Sequence, residues 1–184
     1  ANPKVLSRAL TINEIKKIVK ASGEAAERAM HAGYDAIEIS AHGGYLLDQF
    51  MTTLWNKRSD IYGGDLEGRL RIVLEIIESV RDAVGKDFPL IFRYSAEHLI
   101  EGGRDLKEGK EIAKRLEKAG IDALHVDVGC YKTRDWLYKP IYYPQGCTVY
   151  AAEAIKKVVS IPVITVGKIL DPEFAEKVLQ EGKA

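Results

Sequence analysis

The feature of the sequence that most constrains the fold is a regular alternation of amphipathic helices and short apolar strands. Apolar residues recur at helical spacing from residue 12 to residue 30, and a short strand pattern follows. The same sequence of helix and strand occurs three more times before a last helix begins at Asp171 and Pro172. Such alternation is typical of parallel strands joined by helical crossovers. The four predicted strands are AIEIS (36–40), PLIFRYS (89–95), DALHVDV (122–128) and IPVITVG (161–167).

An internal repeat supports this prediction. Residues 27–40 (ERAMHAGYDAIEIS) and 114–127 (KRLEKAGIDALHVD) share a helix end, a glycine, an Asp-Ala pair and an apolar strand. Doubly wound sheets and (β/α)8 barrels both repeat in this way, but the glycine-rich fingerprint of a dinucleotide-binding first turn is absent. We therefore predict that residues 1–184 form one α/β domain, which is part of a TIM-type (β/α)8 barrel.

Composition argues against several functional classes. The chain carries 27 Lys and Arg and 27 Asp and Glu, and it has no basic stripe that would follow a nucleic-acid backbone. No apolar run approaches the roughly 18 residues of a membrane span, so neither nucleic acid nor a membrane is an expected partner. Cys130 and Cys147 match no metal-binding spacing and are too few for a disulfide framework, which favours a reducing cytoplasm and no metal site.

Three ionisable residues lie inside predicted strands, although buried parallel strands are normally apolar: Glu38, Arg93 and His125. The alternation of each strand directs these side chains into the barrel, together with Ser40 and Asp127. Glu38 and Arg93 on neighbouring strands are expected to form a structural ion pair. Arg93 also lies near the carboxyl end of its strand, where barrel active sites gather, so we favour a role for it in holding an anion or a carbonyl.

The loop after the first strand leaves from that same end and is far longer than the usual βα loop of about 2 to 6 residues. Gly43 and Gly44 allow a sharp turn that would present His42 and Tyr45 over the barrel mouth. A tyrosine there can donate a proton, and a histidine can hold an oxygen. In the alternative interpretation, Tyr45 begins a short helix that packs downward, and His42 is an ordinary loop residue.

The far part of this loop, RSDIYGG, is predicted to have a structural role. Arg58 and Asp60 would pin the loop, and Gly63 and Gly64 would form a turn. We favour this interpretation over direct catalysis by these residues.

A series of short motifs runs through the chain: GYDAIEIS, GYLLDQF, NKRSDIYGG followed by EGRLR, FRYS, EGG, AGIDALHV, IPVITVGKI and DPEFAE. In this order they resemble the Old Yellow Enzyme superfamily of flavin oxidoreductases, in its bacterial branch of dienoyl-CoA reductases, enoate reductases and trimethylamine dehydrogenase. The resemblance covers nearly the whole chain and implies an eight-stranded barrel with FMN at its carboxyl-terminal mouth. This chain would supply strands four to seven, as the central piece of a longer protein.

The resemblance implies roles for individual residues. Arg93 matches the strand-five arginine at the pyrimidine edge of the flavin, where charge accumulates on reduction. Gly167 and Lys168 match positions near the FMN phosphate, although lysine lacks the bidentate geometry of the arginine often found there. Tyr45 matches the tyrosine that protonates the substrate carbon next to the activating carbonyl, which makes it the predicted general acid.

The residues before Tyr45 depart from the family pattern. Many members carry a His-x-x-His or His-x-x-Asn pair that grips the substrate carbonyl, and an ungapped match places Ser40 and Gly43 there. Ser40 is therefore a substrate-binding candidate, and a one-residue shift would make His42 a second catalytic candidate. The dienoyl-CoA reductase pattern also lacks the pair, and there Tyr131 falls near the position of an active-site histidine, which makes it another substrate-binding candidate.

The implied reaction is the reduction of an activated alkene. NADH or NADPH would reduce FMN, and hydride would pass to the β-carbon of an α,β-unsaturated carbonyl compound while Tyr45 protonates the α-carbon. Enoates, dienoyl-CoA esters and other enones are candidate substrates, and a homo-oligomer is possible. An iron–sulfur cluster and FAD are expected only in further domains of a longer protein. Two alternatives stay open: a flavin-free barrel enzyme in which Gly167 and Lys168 grip a phosphorylated metabolite, and an inactive truncated chain with open sheet edges.

Overall fold

The computed structural model describes residues 8–184, and its helices and strands follow the predicted order. The strands are Ile37–Ala41 (β1), Leu90–Glu97 (β2), Ala123–Val128 (β3) and Val163–Thr165 (β4). The helices are Ile12–His31 (α1), Leu46–Met51 (α2), Leu66–Val84 (α3), Leu106–Lys118 (α4), Arg134–Tyr138 (α5), Val149–Lys156 (α6) and Pro172–Gln180 (α7). The short helix α2 matches the alternative in which Tyr45 begins a helix, whereas α5 was not predicted.

Local sequence signals set the helix ends. Helix α1 begins with a capping box: the Thr11 hydroxyl accepts a hydrogen bond from the Glu14 N–H at 3.3 Å, and the Thr11 N–H donates to the Glu14 carboxylate at 2.8 Å. Asp105 caps α4 by accepting from the Glu108 N–H at 2.7 Å. Such caps satisfy main-chain donors that a helix start leaves unpaired, and each contributes about 1 kcal/mol.

The sheet has the strand order of a barrel. Strands β1, β2, β3 and β4 lie in sequence order, and each is hydrogen-bonded in parallel to the strand before it. A doubly wound sheet instead reverses its order at a switch point and carries helices on both faces. Over the described residues the order does not reverse. The prediction of a partial (β/α)8 barrel is therefore confirmed.

The two faces of the sheet differ in burial. On the outer face, Phe92, Tyr94 and Leu124 are fully buried in one hydrophobic core with helix residues such as Leu70. Burying a side chain of this size contributes about 1.5 to 3 kcal/mol. The inner face is more open, and 39% of the surface of Ile164 is exposed. The inner face is the barrel interior, and the ionisable residues of the strands lie on it.

The predicted ion pair between Glu38 and Arg93 is wrong. The Glu38 carboxylate contacts His125 Nδ1 at 2.7 Å, while Arg93 Nη2 donates to Asp127 Oδ2 at 2.8 Å. In the strand register Arg93 lies opposite Ser40, two pairs nearer the carboxyl ends of the strands than Glu38. Asp127 is more buried than Glu38 and lies on the far side of Arg93, so the guanidinium turns to it and Glu38 reaches across the interior to His125.

Candidate active site at the mouth of the barrel

Two loops meet beyond the carboxyl ends of the strands and form the candidate active site. The loop after β1 begins with His42 and reaches Tyr45, and Gly43 between them forms an isolated parallel bridge with Cys130 of the loop after β3. In this bridge the Tyr131 N–H donates to the Gly43 carbonyl at 3.0 Å. Main-chain hydrogen bonding between the two loops thus continues past the ends of the strands and holds both loops at the mouth of the barrel.

The packing of two tyrosines at this mouth requires glycine at position 44. Gly44 has a φ of +92°, and a Cβ there would lie 2.8 Å from Tyr131 Cδ2. The Tyr131 ring lies edge-on to the Tyr45 ring, with 5.4 Å between centroids and an interplanar angle of 81°. Tyr45 also contacts His42 edge-on, at 5.4 Å between centroids.

Tyr45 precedes α2, and its ring does not pack into the protein interior. It is the residue at the amino-terminal cap of this helix, and 47% of its surface is exposed, against 41% for Tyr131. We call Tyr45 and Tyr131 the tyrosine pair. Of the two interpretations of this loop, the helix is observed, but the Tyr45 ring still stands at the barrel mouth.

Four further side chains gather near the tyrosine pair, and we call them the mouth cluster: His42, Arg93, Asp127 and Lys139. Asp127 is its centre, because its Oδ2 accepts from Arg93 Nη2 at 2.8 Å and its Oδ1 accepts from Lys139 Nζ at 3.0 Å. His42 Nδ1 lies 3.5 Å from Asp127 Oδ2. Among the residues that the structure describes, His42 Nδ1 and Arg93 Nε are buried without a hydrogen-bond partner. The cluster therefore holds two buried nitrogen atoms that no described residue satisfies.

The mouth cluster is positively charged near neutral pH. Burial alone raises the pKa of the Asp127 carboxyl, but Lys139 and Arg93 more than offset this, so its pKa lies below the usual value and it is ionised. Burial and the Arg93 charge lower the pKa of His42, which is therefore a neutral imidazole. One carboxylate thus faces two cations. Such a site stabilises a bound group that gains negative charge.

Gly167 and Lys168 lie after β4, at the same end of the sheet. A Cβ at Gly167 would lie 2.0 Å from Thr148 Oγ1 and 3.0 Å from Lys139 Cε, so only glycine fits there. Lys168 Nζ donates to three main-chain carbonyls of the 140–143 turn, two of them at 2.9 Å and 2.5 Å. All three N–H donors of this ammonium group therefore have partners within the chain.

The far part of the loop after β1 is held by the predicted contact. Arg58 Nη2 and Asp60 Oδ2 lie 2.5 Å apart, and Asp60 Oδ1 also accepts from the Tyr62 N–H at 3.1 Å. Arg58 Nη1 donates to the Leu10 carbonyl at 2.7 Å, which ties this loop to the segment before α1. The structural interpretation of this contact is confirmed.

Sequence reasoning missed four of the charged and polar residues that support the site. Asp48, His98 and Arg104 are buried and bonded to one another, and we call them the buried triad. Lys139 was missed because its loop carries no motif. A weak signal for Asp48 is its place between the apolar pairs Leu46-Leu47 and Phe50-Met51 of α2. Its partner Arg104, however, is 56 positions away along the chain.

The family model described as NADH:flavin oxidoreductase / NADH oxidase matches residues 1–184. The chain belongs to this family. The predicted relationship to the Old Yellow Enzyme family is thereby confirmed.

The relatives of this chain include enzymes that are named for different substrates. The chain is 52% identical over 177 residues to the NADH oxidase of Thermoanaerobacter brockii and 44% identical over 196 residues to the cinnamate reductase of Clostridium sporogenes, with 96% and 98% of this chain covered. A solved 2-naphthoyl-CoA reductase complex matches 96% of the chain with a TM-score of 0.89 and 33% identity. The chain spans 27%, 30% and 27% of the lengths of these three proteins. Within residues 8–184, no helix is both long and apolar enough to cross a membrane.

Proposed function

We propose that the whole protein is an FMN-dependent oxidoreductase that uses NADH or NADPH to reduce the activated C=C bond of an α,β-unsaturated carbonyl compound. The described sheet would supply four of the eight strands of its barrel. The observation that carries this proposal is the accessible tyrosine pair beside the positively charged mouth cluster. The relatives named for cinnamate and 2-naphthoyl-CoA reduction support an enoate or an unsaturated CoA thioester as substrate.

The residues at the barrel mouth fit a bound FMN. The Arg93 side chain lies on the open inner face and is 26% exposed. Its buried Nε has no hydrogen-bond partner among the described residues. FMN, when bound, would take hydride from the nicotinamide and supply it to the substrate alkene. Arg93 would hold the pyrimidine edge of the flavin, and Lys139 would add to the positive potential there.

The tyrosine pair and His42 would act on the substrate. Tyr45 would deliver the proton to the α-carbon, since its ring is accessible at the mouth. The adjacent Tyr45 raises the pKa of Tyr131, so the Tyr131 hydroxyl stays protonated, and it would contact substrate beside Tyr45. His42, as a neutral imidazole, would donate a hydrogen bond to the substrate carbonyl oxygen, with Ser40 exposed on the same inner face.

Gly167 and Lys168 would lie near the FMN phosphate. The close packing of Gly167 on Thr148 brings the main chain after β4 close to the loops at the mouth. Because the three N–H groups of Lys168 already have carbonyl partners, this residue would contribute positive charge rather than a new hydrogen bond.

The role of Tyr45 is tested by Tyr45→Phe in the full-length, FMN-loaded protein. Stopped-flow absorbance would follow two steps separately: flavin reduction by NADH or NADPH, and flavin reoxidation by cyclohexenone. The loss of a general acid should slow the second step by roughly 100-fold and leave the first unchanged. Tyr34→Phe is a matched control, since Tyr34 is 66% exposed and lies at the opposite end of the sheet, before β1. Unchanged reoxidation in Tyr45→Phe would remove this tyrosine from the proposed role.

The role of Arg93 is tested by flavin retention. Arg93→Ala should release FMN on dialysis that leaves the unmodified protein yellow, as measured by visible absorbance. Arg115→Ala is the control, because Arg115 lies on α4 with 42% of its side chain exposed. Full flavin occupancy in Arg93→Ala would contradict its assignment. A full-length protein that binds no flavin at all would instead favour the phosphate-binding alternative.

A further inference from the structure

The buried triad lies directly behind the loop that carries Tyr45. The side chains of Asp48, His98 and Arg104 are all 0% exposed. The Asp48 carboxylate accepts hydrogen bonds from Arg104 Nη1 at 3.0 Å and from the Gly44 N–H at 2.8 Å, and its oxygens lie 3.1 Å and 3.2 Å from His98 Nε2. A buried charge is costly unless it is paired and hydrogen-bonded. Asp48 meets this need with three donors, one of which is the main-chain amide of the residue before Tyr45.

The main chain determines which nitrogen of His98 carries the proton. The Arg104 N–H donates to His98 Nδ1 at 3.2 Å, so Nδ1 is an acceptor and the proton lies on Nε2. His98 is therefore a neutral donor to Asp48. The triad then consists of one carboxylate, one guanidinium and one neutral imidazole, and it carries no net charge.

The same network joins the loops after β1, β2 and β3. Arg104 Nη1 also donates to the Ser95 carbonyl at 2.5 Å. The Ser95 hydroxyl accepts from the Gly43 N–H at 3.0 Å and donates to a carbonyl of the loop after β3 at 2.8 Å. The amides of Gly43 and Gly44, which precede Tyr45, are thus both held by buried side chains.

This anchoring acts where the chain is otherwise least constrained. Gly43 and Gly44 have φ angles of +66° and +92°, and glycine populates both signs of φ with similar ease. Asp48 and Ser95 select one conformation from those open to two successive glycines. A reacting group displaced by about 1 Å can lose roughly 100-fold in rate. The direction in which Tyr45 leaves the glycines therefore decides whether its hydroxyl reaches the substrate.

We propose that Asp48, held by His98 and Arg104, is a positioning residue that fixes the main chain on which Tyr45 is carried. This inference rests on the proposed function, because it assumes that Tyr45 is the proton donor. The triad itself touches neither substrate nor flavin, since it is sealed from solvent. Its effect should therefore appear only in the step that uses Tyr45.

The first test is Asp48→Asn in the full-length, FMN-loaded protein. Asparagine keeps one acceptor oxygen but turns an NH2 group toward the other donors, so the Gly44 amide loses its anchor. Flavin reoxidation by cyclohexenone should slow by roughly 10- to 100-fold, while reoxidation by ferricyanide, which takes electrons without a proton, should not change. Glu117→Gln is the matched control: Glu117 also accepts from main-chain amides, at 2.6 Å from Ser160 and 3.2 Å from Ile161, but at the opposite end of the sheet.

A double-mutant cycle separates positioning from general damage. If Asp48 acts through Tyr45, then Asp48→Asn should cause no further loss of cyclohexenone turnover in a Tyr45→Phe background. The same fold-loss in both backgrounds, equal losses with ferricyanide, or no loss in either would overturn the proposal. Tyr45→Phe alone tests the proposed function, so failure of the proton-donor assignment is seen independently of the cycle.

His98 provides a second route if Asp48→Asn does not accumulate as FMN-loaded protein. His98→Leu removes one donor to Asp48 but leaves the ion pair with Arg104, whereas His98→Gln keeps an N–H donor. Cyclohexenone turnover should fall in His98→Leu and recover in His98→Gln, with ferricyanide turnover unchanged in both. Equal turnover in the two variants would overturn the proposal.

Discussion

Replacement of Asp127 by asparagine should destabilise the protein by about 3 kcal/mol, because it leaves a nearly dry ammonium group without a counter-ion. Only 4% of the Asp127 side chain and 8% of the Lys139 side chain are exposed, and Lys139 Nζ lies 3.0 Å from Asp127 Oδ1. Removing one partner of a buried ion pair typically costs about 3 to 5 kcal/mol. Arg93 is 26% exposed, so water compensates for part of its lost contact, and the lower end of the range applies.

The assay is urea unfolding of the full-length protein after flavin removal, so that a change in flavin affinity does not enter the free energy of unfolding. Lys139→Met provides the test of cause. If the loss of stability comes from the unpaired Lys139 ammonium group, Asp127→Asn should lower the free energy of unfolding by no more than about 1 kcal/mol in the Lys139→Met protein. The control is Glu111→Gln, which breaks an exposed contact with Lys114 and should lower the free energy of unfolding by less than about 1 kcal/mol. Equal losses with and without Lys139, or a single-mutant loss below about 1 kcal/mol, would refute this reasoning.

The ion pair between Asp127 and Lys139 also makes the stability of the protein depend on pH under acidic conditions. The pKa of Asp127 in the folded protein lies below its usual value, because Lys139 and Arg93 outweigh the opposing effect of burial. Its stabilising contribution is therefore complete above the ordinary carboxyl pKa of about 3.9 and is lost as the pH falls through the lower folded value. The free energy of unfolding should fall below about pH 4 in the unmodified protein. The fall should be shallower in Asp127→Asn, and equal slopes would contradict this assignment.

Two further predictions concern main-chain geometry and the turn near β4. Gly44→Ala should lower the free energy of unfolding by about 1 to 3 kcal/mol, because φ is +92° there and the new Cβ meets Tyr131 at 2.8 Å; thermal unfolding measures the loss, and an unchanged midpoint would contradict it. Lys168→Gln should loosen the 140–143 turn and weaken FMN retention, whereas Lys168→Arg should retain most of both. Limited proteolysis and flavin absorbance measure the two effects, and identical behaviour of the two variants would count against a role for the charge.

The fold was predictable because its signals act over short distances. The capping box of α1 joins Thr11 and Glu14, three positions apart, and at α4 the Asp105 side chain accepts from the Glu108 N–H over the same spacing. Strand and helix periods are likewise local, and parallel crossovers then leave few possible topologies. The choice between a barrel and a doubly wound sheet followed from the absence of one glycine motif, and the unreversed strand order agrees with it.

The candidate site was predictable only in part, because its contacts depend on distances between strands. The rule that barrel sites lie at the carboxyl ends of strands made His42, Tyr45 and Arg93 candidates, and the family resemblance then favoured Tyr45 as the proton donor. The rule could not decide which inward carboxylate pairs with Arg93, since Glu38 and Asp127 both alternate inward on strands that flank it. Register and burial settle that choice in favour of Asp127.

The charged residues near the mouth divide into two groups that differ in access to water, and this difference separates their roles. The mouth cluster has an excess of positive charge and lies on the open inner face, so it can respond to a ligand that becomes negative. The side chains of the buried triad are sealed from solvent, so a ligand at the mouth cannot contact them. Because Asp48 accepts a hydrogen bond from the amide of the residue before Tyr45, the triad acts on the proposed proton donor through the geometry of the main chain.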